Sequence, residues 1–243
     1  MKPHTAFRSD QNSQAYPDGI EHNFWHIARN RILLHYFGRH RREPLLEIGA
    51  GRGIVLAGLR KAGWEAYGVD LTIVDPCEPG LPIRYGQDAF TLPETERIAY
   101  RSIALLDVLE HLTQRVEFLQ RLRIAFPFIE RLYITVPASP VLWSNYDEFY
   151  GHYLRYTQDI LRYELESAGY QVLFMRYFFH SLWWAIRIQL ILNKKRLEQF
   201  APPTGIKQLA HRVLGHAFYW EGRLLPGSWR GSSLLAIAKP VDQ

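Results

Sequence analysis

Pro44-Leu45-Leu46-Glu47-Ile48-Gly49-Ala50-Gly51-Arg52-Gly53 is the stretch on which the fold turns. Its first half is a short apolar run, and its second half is a turn with glycines at alternate positions. Glycine permits positive φ and lets a ligand come close to the backbone. A helical pattern follows over 54–62 and stops at Gly63, and 64–70 reads as a second strand. Strand, Gly-rich turn, helix and strand within about thirty residues is the size of a parallel crossover.

Outward from this unit the alternation continues. Residues 23–37 carry Phe24, Ile27, Ile32 with Leu33, and Tyr36 with Phe37 at helical spacing, and Gly38 is a plausible stop. Downstream, 83–85, 102–106, 132–136, 170–178 and 233–238 read as strands. Residues 115–125 read as a helix, and so do 157–168 with an apolar face at Ile160, Leu161, Leu165 and Ala168. Strands alternating with helices imply an α/β fold with a mainly parallel sheet. There is no internal repeat and no low-complexity linker.

Composition agrees. Over 243 residues, 47% are apolar and 22% charged, with 17 Gly and 14 Pro, which excludes a disordered, collagen-like or coiled-coil chain. The expectation is a single domain over 1–243. The single Cys77 excludes a disulfide framework or a Cys-rich zinc site and suits a reducing compartment, so cytoplasmic location is expected. The first fifteen residues are polar and lack the apolar core of a signal peptide. The net charge of +5 is modest and points to no nucleic-acid partner; the basic run Arg39-His40-Arg41-Arg42 reads as a solvated helix end.

The turn departs from the dinucleotide pattern. A G-x-G-x-x-G site would need a third Gly where Ile54 stands, and the glycines are G-x-G-x-G after the acidic Glu47. This resembles the first motif of class I S-adenosylmethionine-dependent methyltransferases. The family binds a sulfonium cation and no pyrophosphate, so a carboxylate beside the turn is in keeping. Asp70 with Leu71 at the end of the second strand, Asp88-Ala89 after the third, and Leu106-Asp107-Val108-Leu109-Glu110-His111 after the fourth are similar to its later motifs. The resemblance implies S-adenosyl-L-methionine as cofactor. It implies Glu47, Gly49, Ala50, Gly51, Gly53, Asp70, Leu71, Asp88, Ala89 and Asp107 as cofactor-binding residues, with Asp70 on the ribose hydroxyls and Asp88 near the adenine. It also implies a Rossmann-like seven-stranded sheet in the order 3-2-1-4-5-7-6, with helices on both faces and only the seventh strand antiparallel.

A narrower resemblance is to a bacterial branch of these enzymes, similar to the type 11 and 12 groups. Phe24-Trp25-His26-Ile27-Ala28-Arg29 looks like its FW-x-x-x-R helix, which would aim Arg29 at the methionine carboxylate, a charge-assisted fork. Val136-Pro137-Ala138, Leu142-Trp143-Ser144, Asp147, Gly151-His152 and Arg155-Tyr156-Thr157 look like its VPA, LWS, D, GH and RYT run. That run follows the fifth strand, at the edge where open α/β sheets bind ligands.

Methyl transfer from a sulfonium is an in-line displacement in which the enzyme aligns its reactants. A hydroxyl acceptor must also lose a proton, and His152 or His111 suits that role. The expected reaction is O-methylation of a small, partly apolar acceptor, even a lipid-like one. The alternatives are N-methylation, or a non-catalytic member that binds the cofactor and serves as an assembly partner. No metal is assigned. A minor reading sets Asp107, Glu110 and His111 on one helical face around a divalent ion, as in ubiquinone-pathway O-methyltransferases.

Residues 180–226 interrupt the alternation with two expected helices, 182–197 and 206–225, split by Pro202-Pro203-Thr204-Gly205. The first is too short to span a bilayer. Its Trp183, Trp184, Ile188, Leu190, Ile191 and Leu192 exceed what one buried stripe needs, although the second helix can cover much of this in a hairpin. Three fates rank in the order acceptor lid, homodimer interface and peripheral membrane contact through 182–225. His180, His211 and His216 read as packing or surface residues.

Overall fold

A computed structural model describes residues 17–38, 43–198 and 201–241. The basic run 39–42 and the polar stretch 1–15 lie outside the described residues.

Seven strands form one sheet: β1 (Leu45–Ile48), β2 (Ala66–Asp70), β3 (Ile83–Tyr85), β4 (Ser102–Leu106), β5 (Arg131–Pro137), β6 (Tyr170–Phe178) and β7 (Ser233–Pro240). Their order is β3-β2-β1-β4-β5-β7-β6. The pairs from β3 to β5 are parallel, and β7 runs antiparallel to both neighbours. This is the order and direction expected. The central strands are mostly apolar because both faces are covered. Ile103 and Leu105 enter one core with Leu132 and Ile134, while Ala104 and Leu106 enter the other with Leu45 and Tyr133.

The helices are α1 (Phe24–Phe37), α2 (Ile54–Lys61), α3 (Glu94–Arg97), α4 (Arg115–Ala125), α5 (Asn145–Phe149), α6 (Gln158–Ser167), α7 (His180–Ile191) and α8 (Ile206–Leu224). Local chemistry sets their ends. Asn23 caps α1 by accepting from the Trp25 N–H, and Thr157 caps α6 by accepting from the Ile160 N–H. The short α3 and α5 escape sequence reading because one turn carries too few apolar positions to show a period.

The insertion departs from expectation. The first helix ends at Ile191 rather than 197, since Asn193 turns left-handed at φ 53°. The two helices do not close into a hairpin. Instead α8 packs along α1, and α7 packs against residues 140–142. Glycine makes the α1–α8 contact close: a Cβ on Gly215 would fall 2.7 Å from Ile27 Cγ2. Glu221 of α8 touches α7 only at its first turn, accepting from the backbone and hydroxyl of Ser181 at 2.5 Å.

Candidate active site

The Gly-rich turn sits at the carboxyl end of β1, the middle of the parallel strands, between β2 and β4. Gly49 takes φ 77°, and a Cβ there would meet Val108 Cγ2 at 2.8 Å, so only glycine fits. Gly51 takes φ 52°, and no atom of the described residues lies within 4 Å of where its Cβ would be. The turn is therefore packed on one side and open at its tip. Ala50 lies inside it and Gly53 caps α2 in the left-handed region.

Asp70 pins this turn. Its Oδ2 accepts from the Gly51 N–H and its Oδ1 from the Thr72 N–H, both at 2.7 Å. Burial raises its pKa, opposed by these two bonds. Tyr85 adds a second tie by donating to the Gly51 carbonyl at 3.1 Å. Sequence reading missed Tyr85, since an aromatic at a strand end carries no signal of its own. Leu71 stands exposed beside Asp70, Ala89 is buried, and Asp88 accepts from the Phe90 N–H at 3.0 Å.

Glu47 is buried under the turn, and its Oε2 has no hydrogen-bond partner among the described residues. Burial pushes its pKa up to about 8, against a smaller opposing pull from the Arg29 charge. In the protein alone this group is thus largely protonated at neutral pH, and a cation placed beside it would restore the carboxylate.

Arg29 reaches the site from α1 and meets Asp107 Oδ2 at 2.5 Å, with a second bond to Thr135 Oγ at 3.3 Å. Trp25, one turn earlier, lies under the guanidinium at 5.2 Å. The FW-x-x-x-R spacing thus lays an aromatic shield on the arginine, while Phe24 stacks on Phe218 and fastens α1 to α8. Asp107 itself is left-handed at φ 63°.

That backbone bend overturns the helical premise for Asp107, Glu110 and His111. Only Leu109–His111 forms a turn, of 3-10 type, and Asp107 points to Arg29 instead. The third group to join Glu110 and His111 is His152: these three offer ligand atoms all within 4.8 Å of one another. Glu110 is buried, with its pKa well above the usual range through burial and then the Asp107 charge, and its Oε2 has no hydrogen-bond partner among the described residues. Burial and the neighbouring His152 lower the His111 pKa to about 4.

His152 comes from the loop after α5, and its ring lies 4.9 Å from that of His111. Asp147 on α5 is fully buried, and its Oδ1 lies 2.9 Å from His152 Nδ1 and 2.7 Å from Arg155 Nε. Its Oδ2 accepts from the Ser144 N–H at 3.0 Å. Burial alone would raise the Asp147 pKa, but the His152 bond and the Arg155 charge hold it below the usual carboxylate range. A charged Asp147 fixes the tautomer with the proton on Nδ1, which leaves Nε2 of His152 as the basic nitrogen. The sequence placed Asp147 in a motif without giving it this role.

The insertion reaches the same edge. Asn145 donates to the Arg196 carbonyl at 3.0 Å and to Glu198 at 2.6 Å, and Tyr150 donates to the Glu198 carbonyl at 2.5 Å. Arg196 lies over the Tyr146 ring at 4.3 Å. The three insertion histidines stay outside the site: His180 bonds the Arg230 carbonyl, His211 accepts from the Phe24 N–H, and His216 lies beside Arg31.

A family model described as a methyltransferase domain matches residues 22–174. Among solved structures, the chain is similar to an S-adenosylmethionine-dependent methyltransferase from Archaeoglobus fulgidus, at 18% identity over 87% of this chain and 92% of that one, with a TM-score of 0.54. It is similar to a phosphoethanolamine N-methyltransferase of Haemonchus contortus solved with phosphomonomethylethanolamine and S-adenosylhomocysteine, at 16% identity, with a TM-score of 0.54. That alignment spans 88% of this chain but only 52% of the worm protein. A third likeness is to the 1,6-didemethyltoxoflavin-N1-methyltransferase of Burkholderia thailandensis, solved with its acceptor and S-adenosylhomocysteine, at 17% identity over 89% and 78% of the two chains, with a TM-score of 0.51. These three likenesses are to the fold. No curated protein matches the chain.

Proposed function

Because the chain belongs to the methyltransferase domain family, matched from residue 22 to residue 174, we propose that it is an S-adenosylmethionine-dependent O-methyltransferase acting on a small, partly apolar acceptor. The observation that carries the reading is the buried Asp147 behind His152 at the carboxyl edge, on the same side of the sheet as the Gly-rich turn.

The cofactor supplies an electrophilic methyl group on a sulfonium. The residues suit that charge. Glu47 is a buried acid whose Oε2 has no hydrogen-bond partner among the described residues, and Arg29 with Asp107 provides both signs for an amino-acid moiety. Gly49, Ala50, Gly51 and Gly53 form the backbone cradle, with its open tip at Gly51. Asp70 with Leu71 would meet the ribose hydroxyls, and Asp88 with Ala89 would border the adenine.

His152 takes the proton of the acceptor hydroxyl on Nε2 as the oxygen gains its methyl group. Asp147 holds the Nδ1–H and stabilises the resulting imidazolium. His111 stays neutral beside it and so does not oppose that charge as a second cation. Arg155 and Ser144 hold Asp147. The whole chain acts as one methyltransferase domain, and residues 180–226 shield the acceptor through the contacts of Arg196 and Glu198 with α5.

A second reading rests on the cluster of Glu110, His111 and His152. Their ligand atoms lie close enough to hold a divalent cation, which would polarise the acceptor oxygen and replace the base. The experiment that tests the proposal combines calorimetry with S-adenosylhomocysteine and NAD with a turnover screen of hydroxylated and amine acceptors. Tight binding of the first ligand and methylation of a hydroxyl are expected. Tighter binding of NAD would overturn the cofactor, and exclusive methylation of amines would replace O- by N-methylation.

A further inference from the structure

Helix α8 has two apolar faces. One is used: Gly215 and Gly222 are buried where α8 lies on α1. The other is not. Ile206, Leu209, Val213, Ala217, Trp220 and Leu224 recur at steps of three and four, so they fall on one stripe, and every one is exposed. Exposure reaches 87% at Ile206 and 76% at Leu224. On the helical wheel this stripe lies opposite the two glycines. Helix α7 repeats the pattern with Trp184, Ile188 and Ile191, all exposed at steps of four and three. Singly exposed apolar residues are ordinary, but a continuous stripe along nineteen residues is a surface that seeks cover.

Charge identifies the cover. Between 180 and 230 the chain has eight Lys and Arg against two Glu. The whole chain has 29 against 24, so the remainder carries one more acid than base. The net positive charge of the protein is therefore concentrated in the segment with the bare stripes. Arg212 and Arg223 are exposed along one flank of the α8 stripe and Lys207 along the other, with Lys194 and Lys195 exposed after α7. Exposed apolar side chains that include Trp, flanked by cations, match the boundary between acyl chains and anionic headgroups. None of the helices among the described residues is long and apolar enough to cross a membrane. A second copy fits less well, since a two-fold face would bring like charges together.

We infer that the outer face of α7 and α8 docks in the plane of an anionic lipid bilayer. Because α7 packs against residues 140–142, and residues 194–198 clasp α5, the docked segment is joined directly to the loop that carries His152. An acceptor dissolved in the bilayer could then enter without crossing water. This last step rests on the methyltransferase reading, whereas docking does not.

The test is flotation of the full chain with vesicles of phosphatidylcholine alone and of phosphatidylcholine mixed with phosphatidylglycerol. The expected result is flotation with the mixed vesicles only, weakened by added salt. A variant carrying Val213→Glu and Trp220→Glu should lower partitioning about tenfold or more while S-adenosylhomocysteine affinity and the melting midpoint hold. A second variant, Lys194→Glu with Lys195→Glu, lies in an exposed loop and should weaken partitioning without touching the helix. Wild-type protein that stays unbound with the mixed vesicles overturns the inference. So does a stable dimer in solution that the Val213→Glu, Trp220→Glu variant converts to monomer, which would assign the face to a second copy. Binding of S-adenosylhomocysteine is read separately, so loss of docking and loss of the cofactor reading are distinguishable.

Discussion

The guanidinium of Arg29 meets the carboxylate of Asp107 at 2.5 Å, joining α1 to the end of β4 across 78 positions of sequence. Asp107 is held in a left-handed conformation at that joint, where the cation offsets both its charge and its strain. Arg29→Gln should therefore weaken S-adenosylhomocysteine binding about tenfold or more, because it removes a cation and leaves a partly buried acid unpaired. Calorimetry checks this; an unchanged dissociation constant would make Arg29 a purely structural residue.

Asp70→Ala removes the acceptor of two backbone N–H groups, including that of Gly51. Cofactor affinity should fall by about 1.5–3 kcal/mol, the range for hydrogen bonds to a charged group. The fold should persist, since Asp70 lies at the end of its strand. Tyr85→Phe, which loses only the bond to the Gly51 carbonyl, should have a smaller effect in the same direction. Equal losses in the two variants would show that the turn depends on Tyr85 as much as on Asp70.

His152→Ala should lower turnover by roughly 10²-fold while leaving S-adenosylhomocysteine affinity unchanged. Added EDTA should leave wild-type activity intact. If chelation abolishes activity and a divalent ion restores it, the Glu110, His111 and His152 cluster is the working centre instead.

Glu47 makes stability depend on pH. Its pKa is raised to about 8 in the fold against an ordinary value of 4.5, so the folded state prefers the protonated form. That contribution is full below pH 4.5 and is lost as pH rises through about 8. Glu47→Gln cannot lose it. Without cofactor, the melting temperature of the variant relative to wild type should be higher at pH 9 than at pH 5. A difference that does not change with pH would mean that Glu47 is ionised in the fold.

The strands were legible because most are short, largely apolar runs with a Gly or Pro at one end, and β3, β4 and β6 coincide with their expected limits. Among the helices, α4 coincides with its expected span. The backbone cradle was legible because positive φ at Gly49, Gly51 and Gly53 admits few other residues. The metal-ligand grouping was misread because i, i+3, i+4 spacing presupposes a helix, and the left-handed Asp107 starts none. Tyr85 and Asp147 went unseen as participants because their partners, Gly51 and His152, are chosen by packing and not by periodicity.

Periodicity and turn chemistry are local, so the seven strands, the Gly-rich turn and the position of the insertion can be read from the order of residues alone. The pairing of insertion helices is not local. A helix with two apolar faces, such as α8, satisfies the same 3.6-residue pattern against α7 or against α1. Packing in three dimensions chose α1. Gly215 and Gly222 let α8 approach Ile27 and Ile32 on α1 more closely than any larger residue would allow, and its opposite apolar face was thereby left bare.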